Sequence, residues 1–272
     1  MLNPESVAAV GAARFGERFV RPIYDGYGVA CIPGTIERLL TGRGGPALPP
    51  AALAGLGQRH ERVVLLLLDA FGWRFFAPRA ERDPFLRRFL AEGVVSQLTT
   101  MFPSTTAAHV TTLHTGRPPA ASGVFEWFFY EPSLGRVIAP LLYSFAGDRG
   151  RETLAEAGVG PAFLVAGDTL YQRLAAAGVR ASVYQSAVYA GSTYTGVACA
   201  GAEVVPYRTL AEAITLLGAR LAAETGPAYH MLYVDTIDAI CHSYGPESPH
   251  VAAEIDAVLT ACERLLVPAL AA

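Results

Sequence analysis

The sequence predicts an α/β protein with a mainly parallel central sheet and helices on both of its faces. Three observations carry that expectation. Val63 to Leu68 form an unbroken apolar run, the pattern of a strand buried on both faces. A second apolar run, Met231–Val234, ends like the first in an acid: Asp69 follows one and Asp235 the other. Around them strand-like and helix-like stretches alternate, which favours parallel strands joined by helical crossovers over hairpins. Composition agrees, because 52% of the 272 residues are hydrophobic and only 17% charged, enough for an extensive core and too apolar for disorder.

Residues 1–60 are rich in glycine and proline. They hold one predicted helix, Thr35–Leu40, and the linker GRGGPALPPAALAGLG, and they read as an N-terminal extension packing on the core. Residues 61–272 form the α/β domain. In order, the pattern predicts a strand at Val63–Leu68, a helix at Pro84–Glu92, a strand at Val94–Thr100 and a helix at Thr106–His114. A weak strand at Leu164–Val165 follows, then a helix at Thr169–Ala177 and strands at Ala181–Gln185 and Glu203–Val205. The series closes with a helix at Leu210–Glu224, a strand at Tyr229–Val234 and a helix at Pro249–Leu266. The stretch 123–144, with Phe125, Trp127, Phe128, Phe129 and Tyr130, is aromatic and irregular and reads as an inserted hairpin or a cap. The final helix has no strand after it, so the expectation is a domain whose C-terminal part is missing.

A net charge of −3 and the lack of a basic run argue against a nucleic-acid duplex as partner. The longest apolar run is far too short for a membrane span. The N-terminus carries Glu5 and no continuous apolar core, so it does not read as a signal peptide, and a cytoplasmic setting is the default expectation. Cys31, Cys199, Cys241 and Cys262 are scattered and form no CxxC pair; they read as free buried thiols, with disulfides as the alternative.

Two segments point to chemistry. A carboxylate at the end of a buried parallel strand sits at the carboxyl edge of the sheet, where α/β folds place ligands. Read alone, Asp69 is better explained as a cap for the next turn; its pairing with Thr106 is the more specific signal. In FPSTTAAHVTTLHTG a Pro-Ser-Thr-Thr turn opens a helix and puts the Thr106 hydroxyl at its N-terminus, a favourable place for an anion. A threonine hydroxyl needs a base or a metal to remove its proton. In YVDTIDAICHSYGP, Asp238 and His242 are four residues apart, so a helix would place both on one face, able to share one ion. The alternative is an acid and a histidine on a solvated loop. Oxygen and imidazole donors suit Zn²⁺, or Mn²⁺ as a looser choice. Acid, hydroxyl and anion site together suggest metal-assisted phosphate chemistry.

These segments resemble the alkaline phosphatase superfamily, and within it the type I phosphodiesterase/nucleotide pyrophosphatase family. LLLLDAFGW is similar to the family's first strand with its metal-binding aspartate, here Asp69. FPSTTAAHVTTLHTGRPPAASGV is similar to the nucleophile segment, with Thr106 on the nucleophile. VDTIDAICHSYGP matches the family's D-x-x-x-H-x-x-G-P segment, with Asp238 and His242 on one zinc. The resemblance runs from about Arg62 to the C-terminus. It implies a two-zinc hydrolase of small phosphodiester or nucleotide substrates, acting through a phosphothreonine intermediate. Asp69 and Thr106 would belong to one ion, Asp238 and His242 to the other. Where many relatives carry an asparagine three residues after the nucleophile, this chain has His109, which takes the substrate-binding place. The family's remaining ligands, an Asp-His pair and a later histidine, have no counterpart, since no Asp-His dipeptide occurs. Each ion is thus left with two protein ligands, so a truncated or degenerate non-catalytic binding protein stands as one alternative. A phosphomonoesterase or phosphonate hydrolase on the same fold is another.

Overall fold

In the computed structural model, which describes residues 1–17, 19–165 and 167–271, four parallel strands form the central sheet. They are β1 (Arg62–Leu68), β2 (Arg180–Ser186), β3 (Glu203–Tyr207) and β4 (Ala228–Val234), in the spatial order β1-β4-β2-β3. The helices that matter for the site are α1 (Pro4–Ala12), α2 (Ile32–Thr41), α3 (Pro84–Glu92), α4 (Thr106–Thr115), α5 (Leu170–Ala176), α6 (Leu210–Ala223), α7 (Thr236–Tyr244) and α8 (Pro249–Ala261).

The apolar runs become strands because each has a helix layer on both sides. Side chains alternate across a strand. Val63, Leu65 and Leu67 therefore join one core with Leu40 of α2, Val110 and Leu113 of α4 and Leu174 of α5. Val64, Leu66 and Leu68 join the other with Leu86 of α3, Ile214 of α6, Ile237 of α7 and Ile255 of α8. β4 is the central strand and is buried at every residue. β1 is only half-buried from Val63 to Leu68, and among the described residues no strand pairs with its outer edge.

Helix boundaries follow local chemistry. Asp83 caps α3, its Oδ1 accepting from the Leu86 N–H at 3.0 Å, with Pro84 at the first helical position. Thr169 and Gln172 close a reciprocal capping box on α5. α4 ends at Gly116, whose φ of +72° is open to glycine at no steric cost.

Three expected elements differ. Val94–Thr100 is not a strand: its backbone is engaged singly by the N-terminal extension. Asn3 N–H donates to Val95 O at 2.8 Å, and Val95 N–H to Met1 O at 2.8 Å. Val29 N–H donates to Thr99 O at 3.0 Å. Leu164–Val165 is not a strand either, because Leu164 N–H closes a tight turn onto Pro161 O at 3.0 Å. The last helix is regular only to Ala261, then widens into a π turn over Cys262–Leu266 that keeps both Cys262 and Leu266 buried. The aromatic stretch contributes to a three-stranded antiparallel meander, Phe129–Glu131, Arg136–Ala139 and Ser144–Phe145. All four cysteines are free. No described helix is long and apolar enough to cross a membrane.

Leu232 lies on β4 and is fully buried. Leu232→Ala is expected to cost about 2–5 kcal/mol through lost transfer energy and the cavity left behind. Urea unfolding checks this as a lower midpoint with an unchanged slope.

Candidate active site

Parallel register brings the two acids together. Leu68 of β1 pairs with Val234 of β4, and Asp69 N–H donates to Val234 O at 2.9 Å, so Asp69 and Asp235 leave the sheet side by side. Ala70 then turns the chain at φ +60°, a left-handed conformation uncommon for a residue with a Cβ. Its N–H donates to Asp69 Oδ1 at 3.0 Å, which leaves Oδ2 facing the site.

Thr106 is the first residue of α4, and Thr105 before it caps the helix. The Thr106 hydroxyl donates to Asp69 Oδ2 at 3.1 Å. The Tyr233 hydroxyl donates to the same oxygen at 2.7 Å. Asp235 occupies the capping position of α7 without capping it; its Oδ2 accepts instead from the Tyr189 hydroxyl at 3.1 Å. Burial, reinforced by the neighbouring carboxylate, pushes both phenols well above their ordinary range, so both remain protonated donors. Two further bonds hold these tyrosines: Tyr207 donates to Tyr233 O at 2.6 Å, and Thr195 donates to Tyr189 O at 3.0 Å.

On the facing helix α7, His242 Nε2 lies 3.5 Å from Asp238 Oδ2. His242 is 81% exposed and Asp238 29%. Burial raises the Asp238 carboxyl, the charge of Asp69 raises it further, and His242 opposes both. Asp69, Asp235 and Asp238 all line one cleft of about 170 Å³, with Thr106, Trp127, Arg151 and Tyr233 among the other lining residues. An adjoining cleft of about 530 Å³ is lined by Ser104, Thr105, Thr106, Glu126, Trp127, Asp238 and His242. Thr106, Trp127 and Asp238 are common to both.

His109 lines neither cleft. Its Nδ1–H donates to Thr105 O at 2.9 Å, so Nε2 is the acceptor for the Thr100 hydroxyl beside it. Among the described residues no group of three or more His, Cys, Asp and Glu could hold a metal ion. The expected ligands form two pairs, Asp69 with Thr106 and Asp238 with His242. A catalytic zinc takes three protein ligands. The described residues therefore do not by themselves fit a zinc pair, since neither half reaches three protein donors.

The family model for type I phosphodiesterase/nucleotide pyrophosphatase matches residues 63–267, three-quarters of the sequence, and its span covers Asp69, Thr106, Asp238 and His242. The chain belongs to that family. Among solved structures, murine ectonucleotide pyrophosphatase/phosphodiesterase 5 is similar to it at 16% identity with a TM-score of 0.56, over 77% of this chain and 53% of that one. An inactive form of the same murine protein in complex with AMP gives a TM-score of 0.55. Phosphonoacetate hydrolase from Sinorhizobium meliloti 1021, in complex with phosphonoacetate, is similar at 18% identity and a TM-score of 0.50, over 77% of this chain and 54% of that one. These likenesses show the alkaline phosphatase-type fold, and the chain spans about half the length of those proteins. No curated protein sequence gives a significant match.

Sequence reasoning did not single out Tyr233 or Arg151 as site residues. Tyr233 lies inside an apolar strand and looks like core; Arg151 sits in a charged loop with no pattern around it. The one available signal was the acid following each buried strand, which marks the neighbours of those acids as well.

His114, two turns beyond Thr106 on α4, is buried beneath the cleft, its Nδ1 hydrogen-bonded with the Tyr171 hydroxyl at 2.6 Å. Burial lowers its pKa from 6.5 to about 4. Between those values the unfolded chain binds more protons than the folded one, so this contribution is present at neutral pH and lost as pH falls through the window. The loss amounts to about 3 kcal/mol in full. His114→Gln should flatten the fall in urea midpoint between pH 6.5 and pH 4 relative to the unsubstituted chain, since other titrating groups are common to both.

Proposed function

We propose that the chain is a hydrolase of phosphodiesters or phosphoanhydrides in which Thr106 is the nucleophile. The observation that carries this reading is the Thr106 hydroxyl, donating to Asp69 Oδ2 at 3.1 Å from the first position of a helix. Asp69 accepts the proton as Thr106 Oγ attacks phosphorus, and the alcohol or phosphate leaving group departs, giving a phosphothreonine. The Thr106 and Ala107 amides precede any intrahelical partner, and with the helix dipole they stabilise charge on the phosphoryl oxygens. Tyr233 keeps Asp69 oriented and partly neutralised. Asp238, half-buried and bordering both clefts, supplies a proton to the leaving oxygen and then takes one from the water that resolves the intermediate, while Asp69 returns its proton to Thr106 Oγ as the bond to phosphorus breaks.

Asp69, Thr106, Asp238 and His242 remain the proposed ligands for Zn²⁺ or Mn²⁺. Both ions would need further protein donors, and none of the steps above is routed through a metal. The short donor set favours one other reading, a non-catalytic protein that binds small phosphate or nucleotide ligands in the same clefts. Thr106→Ala separates the two, because binding survives it and hydrolysis does not.

Hydrolysis of bis(4-nitrophenyl) phosphate, with and without added Zn²⁺, is the direct test. Thr106→Ala should lower the rate by about 10³-fold or more. A rate equal to that of the unsubstituted chain would sink the nucleophile assignment. Tyr233→Phe removes a hydrogen bond to a charged acceptor, so a loss of about 10- to 100-fold is expected, read in kcat/KM.

A further inference from the structure

Among the described residues lining the cleft, Arg151 is the only lysine or arginine. It faces a site with three carboxylates, yet no described ion pair engages its guanidinium. The backbone that carries it is fixed on both sides. Ser144 Oγ donates to Gly150 O at 2.9 Å, and Glu152 N–H donates to Leu142 O at 2.9 Å. The Glu152 carboxylate accepts from Thr193 N–H at 3.0 Å, and Glu152 itself sits at φ +69°. A left-handed residue with a Cβ persists only where its surroundings over-determine it, and such residues cluster at ligand clamps. Arg151 lines the first cleft but not the second, which shares Thr106 with it. The cation thus belongs to the wall of the first cleft that the second does not share.

We propose that Arg151 is the specificity residue of this cleft: it receives a second anionic group, phosphate or carboxylate, carried by the substrate beyond the phosphorus that Thr106 attacks. The inference rests on the proposed phosphoryl-transfer site. It narrows the substrate class to phosphoanhydrides, and to phosphoesters or phosphonates bearing another anion, in preference to diesters with two uncharged arms. A guanidinium suits this role because its planar fork meets either anion through two parallel hydrogen bonds. It also offsets the repulsion that Asp69, Asp235 and Asp238 exert on an incoming polyanion.

The test is equilibrium binding by titration calorimetry in chelator-treated buffer, so that metal chelation by the probes is not read. Methylphosphonate, methylenebisphosphonate and 3-phosphonopropionate are titrated into the chain and into its Arg151→Ala and Arg151→Lys variants. At least one of the two probes with a second anion should bind about ten-fold or more tightly than methylphosphonate. Which of them does so identifies phosphate or carboxylate as the second anion. In Arg151→Ala the preference should fall to about three-fold or less, and Arg151→Lys should recover part of it. No preference in the unsubstituted chain, no saturable binding, or a preference that survives Arg151→Ala overturns the proposal. These readouts need no turnover, so a chain that binds selectively but does not hydrolyse would refute the nucleophile reading and leave Arg151 in its role. Arg151 is exposed, and an unchanged melting curve confirms that its substitution leaves the fold intact.

Discussion

The parallel register between β1 and β4 is the constraint on which the rest depends. Pairing Leu68 with Val234 makes the two strands end on one line, and each has an acid as its next residue. A slip of one residue would exchange the faces of every side chain on β1, burying the wrong row and separating Asp69 from Tyr233. The apolar residues that hold this register lie far from the chemistry, yet they decide where the carboxylates meet. α4 and α7 then deliver Thr106 and Asp238 to the same edge.

Gathering three carboxylates at one edge is electrostatically costly, and the structure shows how the cost is met. Tyr233 and Tyr189 each direct a phenolic hydroxyl at one of them, and burial keeps both phenols protonated. Asp238 absorbs part of the strain through its raised pKa, with His242 working in the opposite direction. Among the described residues lining the cleft, Arg151 supplies the only arginine or lysine charge. A site arranged in this way keeps a residual attraction for cations next to a hydroxyl.

The layered fold was legible because its strands are apolar on both faces, a pattern that only a sheet covered twice can use. Pro84–Glu92 was readable to the residue, since Asp83 and Pro84 mark its start chemically. Val94–Thr100 misled because its composition suits a strand while its hydrogen-bonding partners come from Met1–Val29, a pairing of high sequence separation that no local pattern encodes. That Asp69, Thr106, Asp238 and His242 lie about one end of the sheet was legible from strand ends and helical spacing. His109 lies beside Thr106 on α4 but turns its ring back to Thr105 and Thr100, a choice of rotamer invisible in sequence. Tyr233 was hidden by the alternation that makes β4 a core strand: every second residue faces the Thr106 side, and only the last of them reaches the edge.

Among the described residues, no strand pairs with the outer edge of β1. Along a strand, successive amides point to opposite sides, so only half of those in β1 are bound to β4. The other half belong to a strand that is apolar from Val63 to Leu68, beside a groove lined by Leu66, Phe71, Phe85 and Leu270. Hydrogen exchange along β1 should therefore alternate between slow and fast from one residue to the next, whereas β4 is protected throughout. The same row of donors and acceptors, without a strand partner among the described residues, is a template on which another strand can pair.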